Sequence, residues 1–166
     1  MAKVVYLYSL LERLKERAFE AYPKEIAMYI YGKEDWSSHG ELQLLITDIE
    51  IVKNYATTNS YLLPRIELAK LKTCIGMLHT HPYTPSMKKS GALNPQTITV
   101  TLHRIAYPSH QDKIFFANLL DKLNREYMLL GIFSCFKINT IKESSLRFYI
   151  ITKNNTLMEA EQAIII

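Results

Sequence analysis

The first twenty-two residues combine a β-type pattern with a helical one. Residues 4–8 are β-branched and aromatic and predict a short strand. Ser9, with Glu12 three residues later, has the capping-box spacing of a helix start, and apolar residues at helical spacing follow as far as Tyr22. The chain is therefore expected to begin with a strand followed by a helix.

The next part of the chain is dominated by apolar runs of strand length. Residues 25–32 form a continuous run closed by glycine, which is typical of a strand buried on both faces. Residues 41–55 predict one bent strand or two, and residues 73–78 predict a compact strand. Pro64 is placed to begin a helix between them.

The second half predicts strands around one long helix. Residues 83–108 contain Pro, Gly, Ser and Thr and indicate a loop, except that 97–102 alternate polar and apolar residues as an edge strand does. A helix is expected over 109–125, followed by strands at 128–138 and 146–152. The apolar end of the chain is expected to pack on the body or to meet another chain.

Composition limits the class of protein. The 166 residues, 48% of them hydrophobic, suffice for one core, so a single domain over 1–166 is expected. Two cysteines in apolar contexts indicate reduced core thiols, and neither a signal peptide nor a membrane span is evident, so we expect a soluble cytoplasmic protein. The net charge of +4 is too small to indicate nucleic-acid binding.

The pair His79 and His81 ends the strand predicted at 73–78. Side chains alternate along a strand, so both imidazoles point to one face, with Cα atoms about 6 to 7 Å apart. Two neutral imidazoles at this spacing can bind one Zn²⁺. Tyr83 stands where a histidine-triad nucleotide hydrolase needs its third histidine, and no glutamate follows at cupin spacing, so both of those classes are excluded.

Asp112 is the first carboxylate after His81 and is the candidate third ligand. It also completes a plain capping box, Ser109-x-x-Asp112, and capping and metal binding are compatible roles for the first turn of a helix. His110 is a rival ligand of lower rank. Glu25 is either the polar first residue of a strand or a proton acceptor for a water molecule activated by metal, and Ser109 is then placed to donate to an oxyanion.

The order of Glu25, His79-x-His81-Pro82 and Ser109-x-x-Asp112 resembles the JAMM (MPN+) metallopeptidases, zinc enzymes that remove ubiquitin and ubiquitin-like modifiers. The resemblance extends over roughly residues 4 to 152. It implies an α/β fold of the α+β type, in which a mixed, curved β-sheet is flanked by helices.

The resemblance also implies roles for the site residues. One Zn²⁺ would be held by His79, His81 and Asp112 with water as the fourth ligand. Glu25 would be the general acid and base, and Ser109 would polarise the carbonyl of the substrate. The implied partner is a ubiquitin-like or sulfur-carrier protein with an extended C-terminal tail, cleaved from a conjugate or a precursor.

One departure from the family pattern concerns the segment 83–108. Family members have a short gap between the two motifs, and here Pro85-Ser86 imitates the second motif but Lys89 replaces its aspartate. We therefore take Pro108-Ser109 as the motif and 83–108 as an insertion beside the cleft.

The insertion suggests a way to hold the substrate. A strand over 97–102 is expected to lie at the edge of the cleft and to pair with the substrate tail. No Asp or Glu lies between His81 and Asp112, so this segment is positively charged, and Lys88, Lys89 or Arg104 is expected to bind acidic groups of the substrate.

Two other functions stay open at this point. One is a non-catalytic MPN scaffold that serves in assembly, and the other is a DNA-repair relative of the same fold, supported only by the mild positive charge. The complete set of ligands with Glu25 favours the enzyme. A homo-oligomer is compatible with the sequence.

Overall fold

Seven strands close into a β-barrel in the structure, a computed structural model that describes residues 2–37, 39–54, 64–84 and 95–166. In chain order the elements are β1 (Ala2–Leu7), α1 (Tyr8–Ala21), β2 (Ala27–Trp36), β3 (Leu42–Ile51), β4 (Lys53–Asn54), β5 (Pro64–Arg65), α2 (Leu68–Leu71), β6 (Gly76–Pro82), α3 (Pro95–Ile105), α4 (His110–Leu123), β7 (Tyr127–Ile138), β8 (Ile141–Thr152) and β9 (Leu157–Ile165). The barrel order is β1-β3-β2-β6-β7-β8-β9, and β4 pairs with β5 separately.

The predicted fold, a mixed curved sheet flanked by helices, is wrong. Strand β1 pairs in parallel with β3 on one side and with β9 on the other, and this second pairing closes the sheet into a barrel. The closing contact joins residues near the two ends of the chain, and the hydrophobic period of a strand carries no information about its distant partner.

The strands divide their side chains between the barrel interior and its outer face. Buried residues from all seven barrel strands meet in the interior together with residues of α1, among them Leu14. A second cluster lies on the outer face, where Phe116, Leu119 and Leu120 of α4 pack against residues of β2, β6, β7 and β8. Helix α4 is thereby fixed beside β6, the strand that carries the two histidines.

Strand β6 lies between β2, its antiparallel neighbour, and β7, its parallel neighbour. Gly76 allows the close approach to β7, because a Cβ atom at this position would lie 2.0 Å from the carbonyl oxygen of Leu129. The pairing on both edges makes the end of β6 a rigid base for His79 and His81.

Several predicted elements are confirmed and three are wrong. The helix expected at 109–125 is α4, but the strand expected at 97–102 is part of helix α3. Helix α1 begins at Tyr8, directly after β1, with no side-chain cap, so Ser9 is not its cap. Pro64 lies in strand β5 and does not begin a helix.

The apolar C-terminus pairs with the barrel as β9, although Ile164, Ile165 and Ile166 keep exposed side chains. Among the described residues, none of the helices combines the length and the apolarity needed to cross a bilayer.

Candidate metal centre

The end of β6 presents His79 and His81 on the outer face of the barrel. Leu78 belongs to the interior cluster, and Met77 belongs to the outer cluster beneath α4. Strand alternation therefore places both imidazoles on the side that faces α4. Each imidazole has 20% of its side-chain surface exposed, so both are accessible but largely desolvated.

The first turn of α4 brings Asp112 to the histidines. Ser109 caps the helix: its Oγ accepts from the backbone N–H of Asp112 at 3.1 Å, and its own N–H donates to Asp112 Oδ2 at 2.8 Å. This is the predicted capping box. The cap fixes the rotamer of Asp112 so that the same Oδ2 atom also faces both imidazoles.

Three ligand atoms converge on one point between β6 and α4. Asp112 Oδ2 lies 3.2 Å from His79 Nε2 and 3.6 Å from His81 Nε2, and the two Nε2 atoms are 2.9 Å apart. In a tetrahedral zinc site with bonds near 2.0 to 2.1 Å, two ligand atoms are separated by about 3.3 Å. The three residues therefore have the chemistry and the spacing of a zinc-binding triad.

The other ring nitrogen of His81 has a partner of its own. Its Nδ1 lies 2.7 Å from the carbonyl oxygen of Ile105 at the end of α3. A carbonyl can only accept, so Nδ1 carries the proton, and in the neutral ring the lone pair of Nε2 faces His79 and Asp112. Metal-bound histidines have this arrangement, in which an outer partner fixes the tautomer.

The ionisation of the triad is strongly perturbed. Burial acts to raise the pKa of Asp112, but hydrogen bonds with His79 and His81 and the backbone N–H of Ser109 outweigh it and hold that pKa well below its usual range. Burial acts to lower the pKa of His81, and the bonds to Asp112 and to the Ile105 carbonyl outweigh it and raise the pKa. The carboxylate is thus ionised at neutral pH, as a metal ligand must be.

Glu25 is held next to the triad by the residue between the two histidines. Thr80, which is 1% exposed, accepts at Oγ1 from the N–H of Ile26 at 2.9 Å, and its own N–H donates to the Ile26 carbonyl at 2.9 Å. These bonds continue the β2–β6 register, in which Ala27 pairs with His79, by one more residue. Glu25 directly precedes Ile26, and the charges of His81, His79 and Asp112 act on its carboxyl group.

The pKa of the half-buried carboxyl group of Glu25 is affected by all three members of the triad. Burial raises its pKa, the charges of His81 and His79 act in the opposite direction, and the charge of Asp112 raises it further. A carboxylate with a raised pKa is a better proton acceptor near neutral pH than an ordinary one. The structure therefore places Glu25 at the triad, with the electrostatic environment of a group that exchanges protons.

The remaining candidate residues lie around this centre or away from it. Ser109 is exposed at the tip of α4, and its capping bond uses the oxygen as acceptor, which leaves the O–H to donate. His110 is exposed on the same turn, but the convergent group found among the described residues contains Asp112 in its place. His39 lies in an exposed turn, and His103 lies on α3 beside Ser145.

The prediction of a tail-binding strand at 97–102 is wrong. Residues 97–102 lie within α3, so they cannot pair with a substrate as an edge strand. Arg104 is exposed on this helix, and Lys88 and Lys89 lie outside the described residues.

Sequence reasoning missed two residues of the centre. Thr80 could have been found from the sequence, because a hydroxyl residue in an apolar strand needs a hydrogen-bond partner when it is buried. The role of the Ile105 carbonyl could not be predicted from the sequence, since every residue has a backbone carbonyl.

Comparisons with known proteins bear on the fold of the chain. No family profile matches it, and no curated protein matches its sequence. Among solved structures, the solution structure of protein DSY2949 from Desulfitobacterium hafniense is similar over 98% of this chain and 92% of its own, with a TM-score of 0.56 and 16% sequence identity. A similarity at this level of identity shows a common fold and does not define an activity.

Proposed function

We propose that the protein is a zinc-dependent hydrolase of amide bonds, an isopeptidase or peptidase that acts on ubiquitin-like proteins. The observation that carries the proposal is the convergence of His79 Nε2, His81 Nε2 and Asp112 Oδ2 at separations of 2.9 to 3.6 Å. Three protein ligands with one open position are the composition of a catalytic zinc site, whereas a structural zinc site is closed by four.

The donor set favours zinc over the hard cations. Two imidazoles and one carboxylate suit Zn²⁺, while Ca²⁺ and Mg²⁺ prefer sites made of oxygen ligands. A bound zinc ion supplies a positive charge that polarises a carbonyl and a water molecule whose pKa is lowered towards about 7.

Glu25 has the position and the basicity to move the proton. Its carboxylate takes a proton from the attacking water and gives it to the leaving nitrogen of the amide. The raised pKa of Glu25, caused mainly by burial, supports both halves of this transfer, because the group can be reprotonated near neutral pH. If the nitrogen did not receive this proton, it would have to leave as an amide anion, which is a poor leaving group.

Ser109 is the proposed donor to the oxyanion. The capping bond from the backbone N–H of Asp112 fixes the position of its oxygen and leaves the O–H able to donate. A hydroxyl donor that is already in place stabilises the charge that develops on the carbonyl oxygen without reorganisation during the reaction.

The substrate class comes from the resemblance of the motif. The order of Glu25, His79-x-His81-Pro82 and Ser109-x-x-Asp112 resembles the site of the JAMM metallopeptidases, which supports an extended C-terminal tail of a ubiquitin-like or sulfur-carrier protein as the substrate. The buried free thiols Cys74 and Cys135 support a reducing compartment, the cytoplasm. The proposal includes neither a membrane nor a nucleic acid as partner.

Glu25→Gln tests the catalytic part of this function. The substitution keeps the size and the polarity of the side chain but removes the base, so cleavage of a ubiquitin-like fusion protein should fall by a factor of about 100 to 10,000. Zinc content should stay at about one per chain, because Glu25 is not one of the three proposed ligands.

Glu34→Gln is the matched control, because Glu34 is an exposed carboxylate on the far part of β2, the strand that Glu25 precedes. It should cleave the fusion protein at the native rate. Full cleavage by Glu25→Gln would contradict the proposed role of Glu25, and an absence of cleavage by the native protein for every ubiquitin-like fusion tried would contradict the substrate class.

A further inference from the structure

The C-terminal end of helix α3 is tied to the barrel by side chains. Three backbone carbonyls of its last turn, and that of Ala106 directly after it, accept hydrogen bonds from residues of β6, β7 and β8. The pairs are Ser134 Oγ with Leu102 O at 2.5 Å, Arg147 Nη1 with His103 O at 3.2 Å, His81 Nδ1 with Ile105 O at 2.7 Å, and Tyr149 Oη with Ala106 O at 2.6 Å. The barrel thus supplies hydrogen-bond donors to carbonyls at the helix end, and Leu102 O also accepts from the backbone N–H of Ala106 at 3.1 Å.

Two of these bonds are deeply buried. Ser134 is 0% exposed and Tyr149 is 1% exposed, and the residues that they hold, Leu102 and Ala106, are 0% exposed. If such a bond breaks, the buried donor and acceptor have no water to replace it, and this costs free energy. These bonds therefore hold the helix end in place. Ile98 and Leu102 add apolar contact with Phe136 on β7.

The Ile105 carbonyl lies between the two anchored positions. Leu102 is held three residues before it and Ala106 one residue after it, so the carbonyl has little freedom to turn away from His81 Nδ1. The insertion 83–108 is therefore connected to the centre through a backbone atom.

We propose that helix α3 positions the zinc site: Ser134 and Tyr149 hold the Ile105 carbonyl against His81, and this sets the ring orientation and the tautomer that bind zinc. The inference rests on the proposed function, since it takes zinc as the occupant. Ser134 and Tyr149 act through the helix end and are positioning residues. The segment that departs from the family pattern becomes part of the metal site.

Removing either anchor should weaken zinc binding. Tyr149→Phe deletes the bond to Ala106 O, Ser134→Ala deletes the bond to Leu102 O and a longer contact of 3.3 Å to Ser145 O, and both leave the proposed zinc ligands unchanged. Loss of an outer partner of a metal-bound histidine typically lowers metal affinity by 10- to 100-fold, and because these residues act at one remove we expect about tenfold for each. The Kd for zinc is measured by competition with a chromophoric chelator.

Tyr6→Phe is the matched control. Tyr6 is a tyrosine of the barrel interior, 2% exposed, whose hydroxyl donates to Gln162 Oε1 at 2.7 Å. The substitution removes a comparable hydrogen bond away from α3, so the Kd for zinc should stay within about twofold of the native value.

The tautomer of His81 gives a readout that general destabilisation does not change. Long-range ¹H–¹⁵N spectra of the native protein should show Nδ1 protonated and Nε2 bare. Tyr149→Phe and Ser134→Ala should show a mixture of tautomers, while Tyr6→Phe should match the native spectrum. The native spectrum tests the inference even if a variant fails to fold.

The outcomes separate the inference from the function on which it rests. Native zinc affinity in Tyr149→Phe and in Ser134→Ala, or a native His81 protonated at Nε2, overturns the positioning role and leaves the hydrolase proposal standing. An equal loss of affinity in Tyr6→Phe also overturns it. A native protein that binds no zinc overturns both.

Discussion

At the scale of single residues, Thr80 links the segment of Glu25, the proposed base, to the strand of the two histidines. It stands between His79 and His81, points away from them into the protein, and holds Ile26 by two hydrogen bonds of 2.9 Å. The strand period that sends both imidazoles outward also sends the middle side chain inward. One tripeptide of β6 therefore supplies two proposed ligands and the support for Glu25.

Thr80→Val tests this support. Valine has the same shape but leaves the N–H of Ile26 without its buried acceptor, which should lower the free energy of unfolding by about 1 to 3 kcal/mol. Cleavage should fall as well, since Glu25 adjoins the released residue. Urea unfolding and cleavage assays check the two effects.

The matched substitution is Thr80→Ser, which keeps the hydroxyl and loses only a methyl group. It should retain most of the activity. If Thr80→Val unfolds and cleaves as the native protein does, the support of Glu25 by Thr80 is refuted.

The protonation of His81 predicts how zinc binding depends on pH. The pKa of His81 is raised from its usual 6.5 because the bonds to Asp112 and Ile105 outweigh burial. Zinc needs the neutral ring, so protons compete with zinc below this raised pKa, and the affinity should fall as the pH falls. The decline should begin above pH 6.5 and approach about tenfold per pH unit for one displaced proton.

Competition titrations with a chelator from about pH 5.5 to about pH 8 measure this dependence. An affinity that stays constant across this range, or rises towards acid, would show that His81 is not a ligand.

At the residue scale, the sequence predicted the side chains of the centre but not their supports. Alternation along the strand gave the common direction of His79 and His81, and the capping-box spacing gave the place of Asp112. The contact between Asp112 and the histidines depends on how α4 packs across the barrel, which no local spacing contains. The Ile105 carbonyl was unpredictable for the same reason.

Helices α3 and α4 are the elements that complete the site. Helix α4 carries Asp112 and Ser109 in its capped first turn, and α3 delivers a carbonyl to His81. Both lie on the outer face of the barrel, beside the end of β6. The centre is thus assembled where two helix termini meet one strand terminus.

Helix α3 also shows why one element was predicted wrongly. In residues 97–102 the apolar residues Ile98, Val100 and Leu102 alternate, which fits a strand. The structure buries Ile98 and Leu102, four residues apart, and leaves Val100 58% exposed, which is the helical period. A short run with apolar residues at every second position satisfies both periods, and packing against Phe136 selects the helix.

Ser109 caps α4 and is the proposed oxyanion donor, and substitutions can separate these two roles. Ser109→Ala removes the helix cap and the donor together, so it should cost about 1 kcal/mol of stability. It should also lower cleavage by about 100- to 1,000-fold, the usual effect of losing one oxyanion donor. Ser109→Asp keeps an N-cap acceptor but has no hydrogen to donate at neutral pH, so it should retain stability and lose activity.

Thermal unfolding and cleavage of a ubiquitin-like fusion protein, measured on both variants, check the separation. If Ser109→Asp cleaves at the native rate, Ser109 serves only as a cap.

At the scale of the whole molecule, strand order gives the site a firm base. Strand β6 is paired on both edges, with β2 and β7, and the pairing of β1 with β9 closes the sheet on the far side of the strand order. The sequence predicted most strands but not this closure, because strand pairing between distant segments follows from the packing of the whole interior. The two proposed ligands on β6 thus lie on a strand with neighbours on both sides and not on a free sheet edge.

The central claim is that Asp112 binds zinc in addition to capping α4. Asp112→Asn separates the two roles, because an amide oxygen can still accept from the N–H of Ser109 but is a much poorer zinc ligand than a carboxylate. Elemental analysis after equilibrium dialysis against zinc measures the outcome directly. We predict about one zinc per native chain and little in folded Asp112→Asn. Equal zinc content in the two proteins, or none in the native one, would contradict the account.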